Sequence, residues 1–294
     1  MSAHWQVYKP KRSLQDTPVN LTFMQQAREC LKIEFSSVTE ADLANVGIER
    51  KFLVFNATEL ERLLTDKRSA SEKPISQICV RLSRIYRHVS MRYEPGIRMI
   101  LDAVLLTVAE ICFDGGHKIP VAILPGMQIA SGEGILLKNP VTSFEMWFTG
   151  AVNYDMCTYE DEEDLRDRVL NADLDRLRRL AKSHIFLIAD KRLEDKTLFD
   201  FMPEAIAQAA SFALAVRFCL TDGRKWIFSV FVKNATNHRV CYEGSISTIL
   251  EPRFDSEGRD SAWEQSVHRI VELVTHWLVA ECDPLTDALY RLRD

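Results

Sequence analysis

The sequence predicts an α/β protein: a mixed central sheet flanked by helices, preceded by a helical N-terminal extension. Three observations predict it. Two long segments, 96–113 and 261–282, carry apolar residues at helical spacing. Between and around them stand short runs rich in β-branched and aromatic residues, at 119–124, 143–159, 184–192, 216–220 and 226–233. Their order, helix, strand, strand, strand, helix, strand, calls for a sheet covered by helices on both faces.

The first 90 residues read as mainly helical, and residues 91–294 as the core. Asn56-Ala-Thr-Glu59 has the pattern of a capping box ahead of ELERLL. In 75–89, Ile75, Ile78, Cys79, Leu82, Ile85 and Tyr86 fall on one helical stripe with basic residues between them. SASEKP at 69–74 reads as a short loop. Asp114-Gly115-Gly116 stops the 96–113 helix. Gly132, Gly134 and Asn139-Pro140 punctuate a hairpin, and 143–159 reads as one long strand bent near Gly150. An acidic helix-like stretch follows over 160–182. The strand HIFLIADKR, 184–192, is an apolar run that ends in Asp190, Lys191 and Arg192. A helix over 202–214 has Pro203 suited to its first turn, and Thr221-Asp222-Gly223-Arg224 signals a hairpin between 216–220 and 226–233. Another strand is expected at 240–250.

Composition bounds the function. The chain has 294 residues, 47% hydrophobic and 27% charged, enough to bury a sizeable core. A net charge of −5 argues against a globally basic nucleic-acid binder but permits a local basic groove. No apolar run approaches the ~20 residues that span a bilayer, so no membrane association is expected. Seven cysteines without a C-x-x-C pair read as reduced thiols and point to a cytoplasmic or nuclear protein. P-loop, G-x-G-x-x-G, H-E-x-x-H and nucleophile-elbow motifs are absent from the sequence.

The segments KNPVTSFEMWFTGAVNY, HIFLIADKR, FMPEAIAQA and VRFCLTDGRKWIF, in that order, resemble a group of fungal proteins with a PD-(D/E)xK nuclease-like core, of the restriction-endonuclease-like superfamily. The resemblance spans roughly residues 92–280. It implies a phosphodiester hydrolase that uses Mg²⁺ or Mn²⁺. One carboxylate on a strand and a second on the next hold the metal, which acidifies a bound water, and a lysine two positions after the second carboxylate lies on the same strand face.

Carried over residue by residue, the resemblance assigns catalytic positions to Lys191, to Gln208 on the following helix, and to Asn153. The family's first carboxylate would stand at 153, where this chain has Asn, and its second at 189, where it has Ala. Asp155 and Asp190 are the replacement metal ligands, although Asp190 has the opposite parity to Lys191. Arg192, Arg224 and Lys225, with Arg176, Arg178, Arg179 and Lys182, offer a phosphate-binding groove. Glu94 and Glu110 are lesser metal candidates.

Two functions follow. One is a nuclease-like protein that binds DNA or RNA, either a weak metal-dependent nuclease or a pseudoenzyme with metal binding lost. The alternative is a non-catalytic module that uses the scaffold to bind a protein partner. The bland reading of Asp190, Lys191 and Arg192 is a solvated strand end. His268 and His276 lack a third ligand at metal spacing, and Trp263 and Trp277 read as core anchors of the last helix.

Overall fold

Two apolar faces on one set of strands require cover on both sides, and that requirement sets the architecture. The computed structural model describes residues 32–66, 68–114, 118–162, 164–171, 177, 183–189, 197–212, 215–234, 236–252 and 261–293. The strands are β1 (Lys32–Glu34), β2 (Ile48–Phe55), β3 (Val121–Pro125), β4 (Gln128–Lys138), β5 (Glu145–Ala151), β6 (Tyr154–Thr158), β7 (Ser183–Ala189), β8 (Ala215–Thr221), β9 (Lys225–Lys233), β10 (Arg239–Thr248) and β11 (Tyr290–Arg293). The helices are α1 (Glu40–Asn45), α2 (Ala57–Asp66), α3 (Arg68–His88), α4 (Glu94–Asp114), α5 (Leu165–Leu170), α6 (Met202–Phe212) and α7 (Ser261–Val279).

Eight strands form a mixed sheet in the order β11-β2-β10-β9-β8-β7-β6-β3. β3, β6 and β7 are successively antiparallel. β7 and β8 are parallel, and the chain crosses between them through α6. The β8–β9 hairpin forms at Thr221 to Lys225 as its Asp-Gly signal predicts. β8 and β9 are buried along almost their whole length, as central strands covered on both faces must be.

Alternation along β8 and β9 separates the two cores. Cys219, Phe228 and Val230 face α3, α4 and α7, packing with Leu82, Leu101, Val104, Val274 and Trp277. Phe218, Leu220, Ile227 and Phe231 face α1 and α6, packing with Leu43, Ile206 and Phe212, with Phe148 of the small sheet and with Phe35 in the turn after β1. Trp263 and Trp277 are both buried. Among the described residues no helix is long and apolar enough to cross a membrane.

Several elements differ from the sequence reading. Residues 48–55, inside a stretch expected to be mainly helical, form β2, which pairs parallel to β10 and antiparallel to β11. Glu49, Arg50 and Lys51 interrupt its apolar pattern. Its pairing is with segments 191 or more residues away along the chain, which local pattern does not report. The expected loop at 69–74 is the first part of α3, with Pro74 inside the helix in its second turn, where proline removes one i→i−4 hydrogen bond. Asn56 caps α2 by accepting from the Thr58 N–H at 3.2 Å. Its own N–H goes to the Leu289 carbonyl, so Glu59 pairs with Arg62 instead.

The long strand expected at 143–159 is divided. β5 belongs to a three-stranded sheet, β1-β5-β4, and β6 to the large one. The partner strand divides with it: Gly126 N–H donates to the Asn153 carbonyl, and Val152 N–H to the Met127 carbonyl. One hairpin therefore bends from sheet to sheet at Val152 and Asn153. Gly150, at φ +135°, lets Phe35 approach; a Cβ there would lie 2.8 Å from the Phe35 ring.

Candidate functional site

Strand register gathers the candidate residues at one end of the large sheet. β7 ends at Ala189, beside Thr221 at the end of β8. The Thr221 to Lys225 turn is therefore at this end, as are the start of β6 and the first turns of α6. Asp190, Lys191 and Arg192, like Arg176, Arg178, Arg179 and Lys182, lie outside the described residues.

Asp155 is fully buried in β6, opposite Leu124 of β3 and position 186 of β7. Position 186 in turn pairs with Phe218, so Asp155 is on the α6 face of the sheet. Ala189 pairs with Thr221, which has the parity of Cys219 and so belongs to the α4 and α7 face. Burial pushes the Cys157 thiol up, and the charge of Asp155, two residues away on the same face, pushes it further.

α6 supplies the other half of the site. Gln208 is 1% exposed. Its Nε2 donates to Glu204 Oε1 at 3.1 Å and, at the limit of bonding distance, to the Ala151 carbonyl at 3.5 Å. Its Oε1 has no hydrogen-bond partner among the described residues. Glu204 and Ala151 line a cavity of about 450 Å³ with Lys32, Gln128 and Gly150. The sequence reading did not single out Glu204. Its signal was one helical turn of spacing from Gln208, which makes the two neighbours on one face. Asn153 is half-buried at the bend between the sheets.

The hairpin presents the basic residues. Asp222 Oδ1 accepts from the Arg224 and Lys225 N–H groups at 2.9 and 2.7 Å, and Thr221 Oγ1 accepts from Gly223. Arg224 pairs with Glu251 at 2.5 Å, while Lys225 is exposed. On the α4 face of this end, Tyr154 donates to Asp102 at 2.7 Å. Burial first, and then this bond, raise the Tyr154 phenol well above its usual range.

The lesser candidates separate. Glu94 pairs with Arg98 along α4. Glu110 is exposed on the same helix, lining a groove against α3. His276 contacts Asp287 at 2.8 Å, and His268 lies 3.6 Å from Glu272. Among the described residues no three His, Cys, Asp or Glu side chains gather as metal ligands. No protein-family model matches the chain, and no curated protein matches it.

Proposed function

We propose that this chain is a PD-(D/E)xK nuclease-like protein that binds nucleic acid at the α6 face of the sheet, with hydrolysis weak or lost. The observation that carries the reading is the placement of a buried carboxylate, Asp155, on the sheet face that α6 covers with the buried amide of Gln208. The succession α4, β3, β6, β7, α6, β8 supports it, being the order of helix and strands that the resemblance implies, with β4 and β5 inserted after β3 and α5 after β6.

Asp155, Gln208 and Glu204 offer oxygen donors, the type that Mg²⁺ and Mn²⁺ prefer. The described residues do not assemble a three-carboxylate set, and the reading takes Asp190, a metal candidate of the sequence, as the further ligand. A bound divalent ion would polarise a phosphate and acidify water. Gln208 orients the site: its Nε2 holds Glu204, and its Oε1 remains available to accept. Lys225 and Arg224 at the hairpin would meet the phosphate backbone.

The test is binding and cleavage of single- and double-stranded DNA and RNA, with Mg²⁺ and with Mn²⁺, over a salt series. Expected is binding that weakens steeply with salt, weakens further in Lys225→Ala and Arg192→Ala, and accompanies slow cleavage or none. Any residual cleavage should fall in Asp155→Asn and in Asp190→Asn. Absence of binding to every nucleic acid would overturn the reading. Cleavage lost in Lys191→Ala but retained in Asp190→Asn would overturn the assignment of Asp190 as a ligand.

A second reading, binding of a protein partner, is favoured by a separate observation: an exposed apolar stripe beside unpaired cations on α3 and α4.

A further inference from the structure

α4 buries one side against the sheet and leaves a line of apolar residues outside. Met99, Leu106 and Phe113 are 45%, 48% and 51% exposed. They recur every seven residues, two helical turns, so they form one stripe about 21 Å long. Glu94–Asp114 buries its opposite face, and among the described residues nothing covers the stripe. Isolated exposed apolar residues need no explanation, but an aligned set is the mark of an interaction surface.

At Met99 the stripe meets a groove of about 540 Å³ between α3 and α4, whose α4 wall continues through Thr107 and Glu110. Ile78, Ile85 and Val89 contribute apolar lining, and Val80, 51% exposed, stands on the opposite rim. That rim is basic. Arg81, Arg84 and His88 recur at three and four residues along α3, on one face, and all three are exposed. None of them makes an ion pair with a described residue. Glu110 is the sole acidic residue lining the groove among those described.

We infer that this groove docks an amphipathic helix of a protein partner, its apolar face against Val80 and Met99 and its acidic flank against Arg81, Arg84 and His88. The groove is lined from Gln77 to His88 and from Met99 to Glu110, about 16 Å of each helix, which matches about three turns of a partner helix. Arg81 and Arg84 along one rim select acidic flanks by charge complementarity. Nucleic acid fits less well: phosphates would meet the α3 arginines but leave the exposed Val80 and Met99 side chains in water. The groove is on the outer, solvent side of the α3–α4 layer, so the inference stands independently of the nuclease reading.

The test is selection of displayed helical peptides on the full-length protein, followed by fluorescence anisotropy. The library fixes an apolar stripe and varies the flanking positions. Expected is enrichment of Asp and Glu at the flanks, and binding that weakens at least tenfold in Met99→Glu and in Arg84→Glu. A peptide with a lysine flank should regain affinity for Arg84→Glu. Each substitution is at an exposed position, and circular dichroism and unfolding checks that the fold is kept. An empty selection, basic or neutral flanks, or equal binding by the variants would overturn the inference. So would single-stranded DNA binding that the same variants abolish, or concentration-dependent self-association lost in Met99→Glu, which would assign the groove to nucleic acid or to a second copy of the chain.

Discussion

The two ends of the large sheet treat buried polar groups differently. At the end where β8 begins, Arg217 is matched on several sides. Its Nη1 donates to the Ala280 carbonyl at 3.2 Å, and its Nη2 to the Cys282 carbonyl and to Asp287, both at 3.0 Å. Asp287 also contacts His276 and accepts from the Leu289 N–H. This network ties the segment after α7, and so β11, to the sheet. At the other end, Gln208 is as deeply buried yet leaves its Oε1 without a partner among the described residues. Buried polar groups are bonded when their role is structural. An acceptor left open in the interior costs free energy. Arg217 Nε also has no partner among the described residues, but its two terminal nitrogens are held, whereas at Gln208 the open group belongs to the proposed site. The comparison sets a tied end against the end proposed as functional, and substitutions at each should behave differently.

The largest effect is expected at Asp287. Its side chain and that of Arg217 are 3% and 7% exposed. Asp287→Ala would leave a buried guanidinium unmatched and should cost about 3–5 kcal/mol in urea unfolding, with nucleic-acid binding by the remaining folded protein unchanged. Burial raises the Asp287 carboxyl, but the bonds from His276 and Leu289 and the charges of His276 and Arg217 outweigh it and hold the carboxyl well below its usual range. A depressed carboxyl contributes stability that is complete above its unfolded value, about 4, and is lost as pH falls toward the lower folded value. The native chain should therefore lose stability below pH ~4 more steeply than Asp287→Asn. Parallel acid profiles for the two would break the comparison.

Glu272 tests the same logic with the opposite sign. It is fully buried in α7, and neither carboxylate oxygen has a hydrogen-bond partner among the described residues; His268 is 3.6 Å away. Replacing a poorly compensated buried charge by an apolar side chain of similar size is neutral to stabilising by about 1–4 kcal/mol. Glu272→Met should raise the thermal midpoint. A fall in the midpoint would mean that the carboxylate is matched in solution and that Glu272 belongs with Asp287.

At the site end, Gly223 holds the hairpin with φ +81°, and an added Cβ would lie 3.1 Å from Ile97. Gly223→Ala should cost about 1–2 kcal/mol through the left-handed backbone. It should also weaken nucleic-acid binding by displacing Arg224 and Lys225. An unchanged binding curve at unchanged salt would remove the hairpin from the proposed interface.

How much of this was legible follows from where the information resides. The helices α4 and α7 and the β8–β9 hairpin are written locally, in periodicity and in Asp222-Gly223. β2 is not. Its Arg50 reaches Glu243 on β10, with Nη2 to Oε2 at 2.6 Å, and that long-range pair is what makes polar residues acceptable in a strand. The bend at Val152 and Asn153 was also hidden, because two sheets share one continuous hairpin and the sequence around Gly150 shows only a weak point. For the site, Asp155 and Gln208 were legible as residue types in order. Their common face required the register. Glu204 was hidden because a glutamate in a first helical turn is ordinarily there for the helix dipole.

The smallest expected stability effect is the one that bears most directly on the comparison. Gln208→Met keeps the volume and removes both amide groups. At a structural position, losing the bonds to Glu204 and Ala151 would cost on the order of 1 kcal/mol each. At a position that already carries an open acceptor, removing that acceptor offsets much of the loss, and the net change should stay within about 1 kcal/mol. Nucleic-acid binding with Mg²⁺ present should nonetheless weaken, because Glu204 loses its holder and the Oε1 acceptor is gone. A loss of stability approaching that of Asp287→Ala, with binding intact, would move Gln208 to the structural side and leave Asp155 as the only buried polar group assigned to the site.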